Sequence, residues 1–266
     1  ERRRFRVQLD DVAVVGLVLG AVEAADVGVG DLDDGHAAVV AHFAYDKSFR
    51  RVAIFKDIKN DYSVAFASSF ASEFKKLGGQ IVAEQVFQEG DTDFKAQLTT
   101  LKAANPDAVL IPGYYSEVGT IARQAREVGL AVPLLGGDGW DSPRLIPGAG
   151  GPGGALEGCF FSDHYFSPEL KDKTTQTFLS AFEKKYSQKP DAIAALSYDA
   201  ARVLVDAIGR CPKLDSTALR DSIAATKDFP GVTGKITFDA NRNARKAALI
   251  FQIKGDLFHF MRRYPP

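Results

Sequence analysis

Cysteine is scarce in this sequence, with only Cys159 and Cys211 among 266 residues. Two cysteines exclude a disulfide-rich scaffold and a thiolate metal site. A single Cys159–Cys211 bridge stays open as an alternative, although two free core thiols are the expected state. No metal-ligand spacing relates the four histidines, so neither a metal nor a cofactor is expected. These histidines are His36, His42, His164 and His259.

An excess of one charge sign and long apolar runs are also missing. The chain has 33 basic and 34 acidic side chains and a net charge of -1, which gives no basic surface for nucleic acid. No run of 18 apolar residues occurs, so direct insertion into a membrane is not expected. Neither a G-x-S-x-G nucleophile elbow nor a phosphate-binding loop is present. We therefore predict no enzymatic activity and assign no catalytic residue.

The first 47 residues differ in texture from the rest and are interpreted as an atypical N-terminal segment. Asp11 to Gly35 uses six residue types and shows neither strand nor helix periodicity. Arginines ahead of the apolar run Val12–Gly20 faintly resemble a signal peptide, but Asp10 and Asp11 stand between them. The sequence therefore gives no convincing signal peptide.

From Arg50 onward, short apolar runs alternate with segments that have apolar residues at helical spacing. The predicted strands are Val52–Phe55, Ile81–Phe87, Ala108–Ile111, Pro133–Leu135 and Cys159–Phe161. The predicted helices between them are Tyr62–Leu77, one striped by Phe94, Leu98 and Leu101, and one running from Ser116 to Val128. This alternation is typical of a Rossmann-like, doubly wound parallel sheet of the α/β class.

Beyond Pro168 the pattern becomes helical and then returns to strands. One helix is striped by Phe178, Phe182 and Tyr186, and a second covers Asp191–Ile208. We expect Ser216 to cap a third, short helix. The closing strands are predicted at Lys235–Phe238, Ala248–Ile253 and Leu257–Met261, the last two forming a hairpin.

Polar and aromatic residues follow the predicted strands on one edge of the sheet, where open α/β sheets bind ligands. They are Tyr62, Tyr114, Tyr115, Asp138, Trp140 and Asp141. A carboxylate and tyrosine hydroxyls can satisfy the three donors of an ammonium, and aromatic faces add cation–π attraction. This combination favours a zwitterionic amino acid. The alternative is structural: Asp138 would stabilise its own turn, and the aromatic residues would pack loop onto helix.

Six motifs in unbroken order resemble the extracytoplasmic solute-binding proteins of ABC transporters, specifically the branched-chain amino-acid-binding type. They are KNDYS (Lys59–Ser63), EGDTDFKAQL (Glu89–Leu98), ANPDAVLIPGYYSE (Ala104–Glu117), LLGGDGWDSP (Leu134–Pro143), ALSYDAA (Ala195–Ala201) and FPGVTGKITFD (Phe229–Asp239). The resemblance implies the type I periplasmic-binding fold, in which two Rossmann-like lobes close on the ligand. It also implies that Asp138 holds the ligand ammonium and that Tyr62 and Tyr114 line the same side of the cleft. Trp140, from the same motif as Asp138, completes the expected ligand-binding set.

The N-terminal units that build most of the first lobe in relatives have no recognisable counterpart here. We therefore expect residues 48–160 and 245–262 to form a complete lobe and residues 161–244 a remnant of the other. The resemblance implies binding of a branched-chain amino acid in the periplasm and its delivery to an ABC-transporter permease. Because the groups for the ligand carboxylate lie in the units without a counterpart, we expect impaired binding. The alternative is a ligand-sensing domain of a regulator or receptor with the same fold, which a fused effector domain would distinguish.

Overall fold

The computed structural model describes residues 34–164, 172–213, 215–240 and 243–265. It divides the chain into two compact units. The sheet unit comprises Asp31–His164 and Ala247–Pro266, and the second unit includes Tyr165–Lys246. The weak resemblance to a signal peptide, together with the rest of the segment before residue 34, lies outside the described residues.

Seven strands of the described residues form one sheet in the sheet unit. They are β1 Arg51–Asp57, β2 Gln80–Phe87, β3 Ala108–Leu110, β4 Leu134–Gly136, β5 Phe160–Asp163, β9 Ala248–Lys254 and β10 Leu257–Tyr264. Their order across the sheet is β10-β9-β5-β4-β3-β1-β2. The first five strands pair in parallel, whereas β9 is antiparallel to both β5 and β10. The predicted parallel α/β sheet and the predicted C-terminal hairpin are therefore confirmed.

Helices with buried apolar residues precede and connect the parallel strands. Helix α1, Asp34–Asp46, comes before β1, and α2 Asp61–Lys76, α3 Lys95–Ala103, α4 Tyr115–Glu127 and the short α5 Leu145–Gly148 lie between successive strands. The side chain of Asn60 caps α2 by accepting a hydrogen bond from the Ser63 N–H. Phe66, Phe70 and Phe74 recur on one face of α2 and are fully buried, which fixes the rotation of this helix on the sheet.

Helix α1 lies within the lobe that sequence reasoning began at residue 48. Its Val40 and Phe43 are buried in one cluster with Phe70 and Phe74 of α2, and Phe43 packs edge-on against Phe160. Several of the other buried positions of α1 are alanines. Because alanine gives little contrast between a buried and an exposed face, the helical period was hard to read.

In its described residues, the second unit combines three helices with a small antiparallel sheet. Its elements are α6 Lys173–Tyr186, α7 Ala192–Arg210, α8 Ser216–Ala224, β6 Phe229–Gly231, β7 Gly234–Phe238 and β8 Ala244–Arg245. Asp215 caps α8 by accepting from the Ala218 N–H, so the prediction that Ser216 is the cap was wrong. Aspartate and serine are both favourable N-cap residues, and the helix begins after Asp215, the first of the two. That this unit is a remnant of another lobe stays a prediction.

The two cysteines are free thiols. Cys159 is buried in the sheet unit, whereas Cys211 at the end of α7 is partly exposed. Burial raises the pKa of the Cys159 thiol, which accepts hydrogen bonds from the Leu134 N–H and the Arg126 guanidinium. In the part of the chain that the structure describes, no helix has both the length and the apolar composition to cross a membrane.

Candidate functional site

The candidate site lies at the carboxyl edge of the parallel strands in the sheet unit. Asp57, Leu110 and Gly136 end β1, β3 and β4, which are neighbours in the sheet. Tyr62 lies in the first turn of α2, and Tyr114 directly precedes α4. Asp138 begins a single 3-10 turn, Asp138–Trp140, directly after β4. The topology therefore brings three of the predicted site residues to one edge.

Tyr62 and Asp138 are in direct contact. The Tyr62 hydroxyl donates a hydrogen bond to Asp138 Oδ1 at 2.8 Å. The Tyr62 ring stacks on that of Tyr114, with centroids 5.5 Å apart and planes inclined by 29°. Tyr114 is 45% exposed, and the Asp138 side chain is 28% exposed. The edge therefore presents a half-buried carboxylate beside a pair of aromatic rings.

Two glycines allow this close approach. A Cβ on Gly137 would lie 2.2 Å from the Tyr62 hydroxyl oxygen, and one on Gly139 would lie 2.8 Å from the Gly113 carbonyl oxygen. Real Cβ atoms do not tolerate such distances, so a larger residue would push the turn away from Tyr62 and from the turn after β3. The sequence Gly137-Asp138-Gly139 is thus the local reason that Asp138 reaches its partner.

A histidine holds the other side of Asp138. His164 Nε2 lies 3.5 Å from Asp138 Oδ2, and the His164 side chain is 22% exposed. The buried ring of His36, from α1, contacts His164 with centroids 3.7 Å apart. Sequence reasoning missed both residues because it searched the histidines only for metal spacing. His164 directly follows β5 and so emerges at the same edge, which was a signal that could have identified it.

Asp163 adds a second carboxyl group beneath this edge. It is buried, and its Oδ1 accepts a hydrogen bond from the His164 N–H at 2.6 Å. Desolvation raises the pKa of Asp163 well above its ordinary value, and the nearby Asp141 and Asp138 charges raise it further. The environment therefore favours a neutral Asp163 and leaves the more exposed Asp138 as the accessible anion of the edge.

Trp140 does not line the site, and its expected role as a ligand contact is corrected. Its side chain is fully buried and stacks on Phe161 with centroids 6.3 Å apart. Its indole N–H donates to the Ile111 carbonyl at 3.1 Å. The 3-10 turn directs the ring into the core, where it packs against Phe161 of β5.

The site has the chemistry of a binding site for an organic cation group. Within the described residues there is no cluster of histidine, cysteine and carboxylate side chains suited to a metal ion. The carboxylate of Asp138 can accept hydrogen bonds from an ammonium, and the Tyr62 oxygen can accept another. The exposed Tyr114 ring offers an apolar and cation-attracting wall.

The chain matches a known protein family and resembles several characterised members of it. Residues 27–256 match the periplasmic binding protein family. A Pseudomonas aeruginosa protein described as binding leucine, isoleucine, valine, threonine and alanine is 26% identical over 232 residues, which are 86% of this chain and 56% of that protein. A crystal structure of the leucine-binding protein LivK from Thermotoga maritima is 37% identical, with a TM-score of 0.82, and the match covers 88% of this chain and 66% of that one.

A second solved structure is that of LivJ from Streptococcus pneumoniae in complex with isoleucine, which is 31% identical with a TM-score of 0.72. The match covers 86% of this chain and 65% of the Streptococcus chain. The chain thus spans between about half and two thirds of the length of these three relatives. The family match and the fold agree: the chain belongs to the periplasmic binding proteins.

Proposed function

We propose that the sheet unit binds the α-ammonium of a branched-chain amino acid at Asp138, for delivery to an ABC-transporter permease in the periplasm. The observation that carries the proposal is the Asp138 carboxylate, held by Tyr62 at the carboxyl edge of the sheet and still partly exposed. Relatives described as leucine-, isoleucine- and valine-binding proteins support the choice of ligand class. The permease and the compartment are inferred from the family.

The contacts of Asp138 suit an ammonium better than a guanidinium or a metal ion. Tyr62 occupies one approach to Oδ1, which leaves room for a compact donor group rather than a wide bidentate fork. Charge-assisted hydrogen bonds from an ammonium are shorter and stronger than neutral ones. The half-buried setting adds strength because a charge pair is screened less there than in open water. Specificity for an amine should therefore come from Asp138.

Affinity is a separate matter from specificity. The family resemblance implies that the groups for the ligand carboxylate lie in units that have no recognisable counterpart in this chain. A carboxylate bound without matching donors loses much of the free energy that a complete site would supply. We therefore expect the 266-residue chain to bind leucine, isoleucine or valine more weakly than its longer relatives do.

Ligands that lack one end of leucine test this proposal on the unmodified chain. Isoamylamine keeps the ammonium and the branched side chain, whereas 4-methylpentanoate keeps the carboxylate and the same side chain. Titration calorimetry should show binding of leucine and isoamylamine but not of 4-methylpentanoate. Where binding is weak, each analogue is tested for competition with leucine. Binding of 4-methylpentanoate equal to that of leucine would refute the role of Asp138, and so would absence of binding by leucine at millimolar concentration.

A further inference from the structure

We propose that His164 makes ligand binding at Asp138 dependent on pH, because a proton on its imidazole competes with the ligand ammonium for the same carboxylate. This inference rests on the proposed function and concerns the regulation of that same site. The contact that carries it is the 3.5 Å approach of His164 Nε2 to Asp138 Oδ2. Tyr62 contacts Oδ1, so the two protein partners approach different oxygens of one carboxylate.

The position of His164 is fixed by the sheet. His164 directly follows β5, a strand paired with β4 on one side and β9 on the other. Its main-chain N–H is tied to Asp163 Oδ1. The buried His36 ring covers it from α1, and His36 Nδ1 lies 3.2 Å from Ser162 Oγ. These contacts position the partly exposed imidazole beside Asp138.

The charged and titratable groups around His164 come from several elements. His36 contributes from α1, Tyr62 from α2, Asp138 and Asp141 from the segment after β4, and Asp163 from β5. The neighbouring strand β9 places Leu249 and Ile250 opposite Asp163 and Ser162 and adds no charge there. Two imidazolium ions in contact repel each other, so the first proton is favoured on one ring. The adjacent Asp138 carboxylate attracts that first proton to His164.

The direction of the effect follows from the charges. When His164 is neutral, Asp138 is an uncompensated anion and attracts the ligand ammonium. When His164 is protonated, its charge neutralises Asp138 and repels the ligand, so affinity falls as the pH falls. Linkage is reciprocal, so an ammonium that cancels a one-unit rise in the imidazole pKa binds about tenfold more weakly once His164 is protonated.

Proton titration of the imidazole by NMR tests the contact without any ligand. His164 and His36 are assigned in the full chain from the His164→Gln and His36→Gln variants, and the His164 pKa is compared between wild type and Asp138→Asn. We expect the pKa to be higher in wild type, by roughly one unit, because the carboxylate stabilises the imidazolium. Equal pKa values in the two proteins would overturn the inference and leave the proposed function standing.

Leucine titrations at pH 8 and pH 5.5 test the consequence for binding. The wild type should bind about tenfold more weakly at the lower pH, and His164→Gln should lose most of this dependence. His259→Gln, the same substitution at an exposed histidine of β10, is the matched control and should retain it. A wild-type Kd that does not change with pH overturns the inference alone, as does dependence that disappears in His259→Gln but persists in His164→Gln. Absence of leucine binding at both pH values overturns the inference together with the proposed function.

Discussion

The hydroxyl of Tyr62 donates a 2.8 Å hydrogen bond to Asp138, a residue that follows it by 76 positions in the chain. The two residues meet because β1 and β4 flank β3, so the segments that leave β1 and β4 converge over the carboxyl end of β3. The carboxylate is thus oriented before any ligand arrives. A site prepared in this way loses less free energy to ordering when the ligand binds.

Substitution of Tyr62 by phenylalanine should weaken leucine binding by about tenfold, because it removes a hydrogen bond to a charged group. The ring stack with Tyr114 should persist, since the aromatic ring is unchanged. Tyr264→Phe is a matched control, because the Tyr264 hydroxyl also approaches an aspartate, at 3.5 Å from Asp46 Oδ2. Equal losses of affinity in the two variants would show that the Tyr62 hydroxyl has no special role.

Substitution of Trp140 by phenylalanine should reduce the free energy of unfolding by about 1–3 kcal/mol. The variant loses buried volume and leaves the Ile111 carbonyl without its indole donor. Urea unfolding followed by circular dichroism measures the change, and leucine affinity should stay close to that of wild type. A Trp140→Phe variant with wild-type stability that no longer binds leucine would show that Trp140 contributes to the ligand site.

Substitution of Asp163 by asparagine should stabilise the protein increasingly as the pH rises from about 4. The pKa of the buried carboxyl is raised in the folded state, so folding favours the protonated form. The free energy of unfolding of wild type therefore falls with pH between the unfolded and folded pKa values, whereas asparagine stays neutral throughout. The asparagine oxygen can still accept the His164 N–H. Unfolding curves measured across this pH range check the prediction, and a constant difference between the two proteins would contradict it.

Substitution of Asp199 by alanine should destabilise the second unit by about 3 kcal/mol. Asp199 is buried and accepts hydrogen bonds from the Val232 and Thr233 N–H groups and from the Thr233 hydroxyl. Its removal leaves these donors without an acceptor in the turn between β6 and β7. Hydrogen exchange should show faster exchange in β6, β7 and α7. The exchange rates of Asp199→Asn, which keeps one acceptor oxygen, should lie between those of wild type and Asp199→Ala. Unchanged exchange in Asp199→Ala would disprove the anchoring role.

Helices could be predicted from the sequence where long apolar side chains recur at helical spacing. Phe66, Phe70 and Phe74 identified α2 in this way, and the alternation of such helices with short strands predicted the parallel sheet. Helix α1 escaped detection because alanines supply several of its buried positions. The period of the pattern, rather than the amount of apolar surface, decided which elements could be predicted.

The sequence predicted which edge of the sheet carries the candidate site residues, but not the orientation of each side chain. Tyr62 and Asp138 were placed together by the rule that carboxyl ends of parallel strands share an edge. No such rule states whether a side chain two residues further on turns outward or inward, and the 3-10 turn buried Trp140. The contact between His36 and His164 joins residues 128 positions apart on α1 and after β5, and pairings of that range depend on the packed fold.

The most direct test of the account is leucine titration of the isotope-labelled chain, followed by NMR at pH 8 in wild type and in Asp138→Asn. The account predicts saturable shifts of the amide signals of Tyr62, Tyr114 and Asp138 in wild type, and their loss in the variant. NMR follows binding with millimolar Kd, so weak affinity does not prevent the measurement. Shifts of the same size in Asp138→Asn, or no shifts in wild type, would contradict the assignment of Asp138 as the group that binds the ligand ammonium.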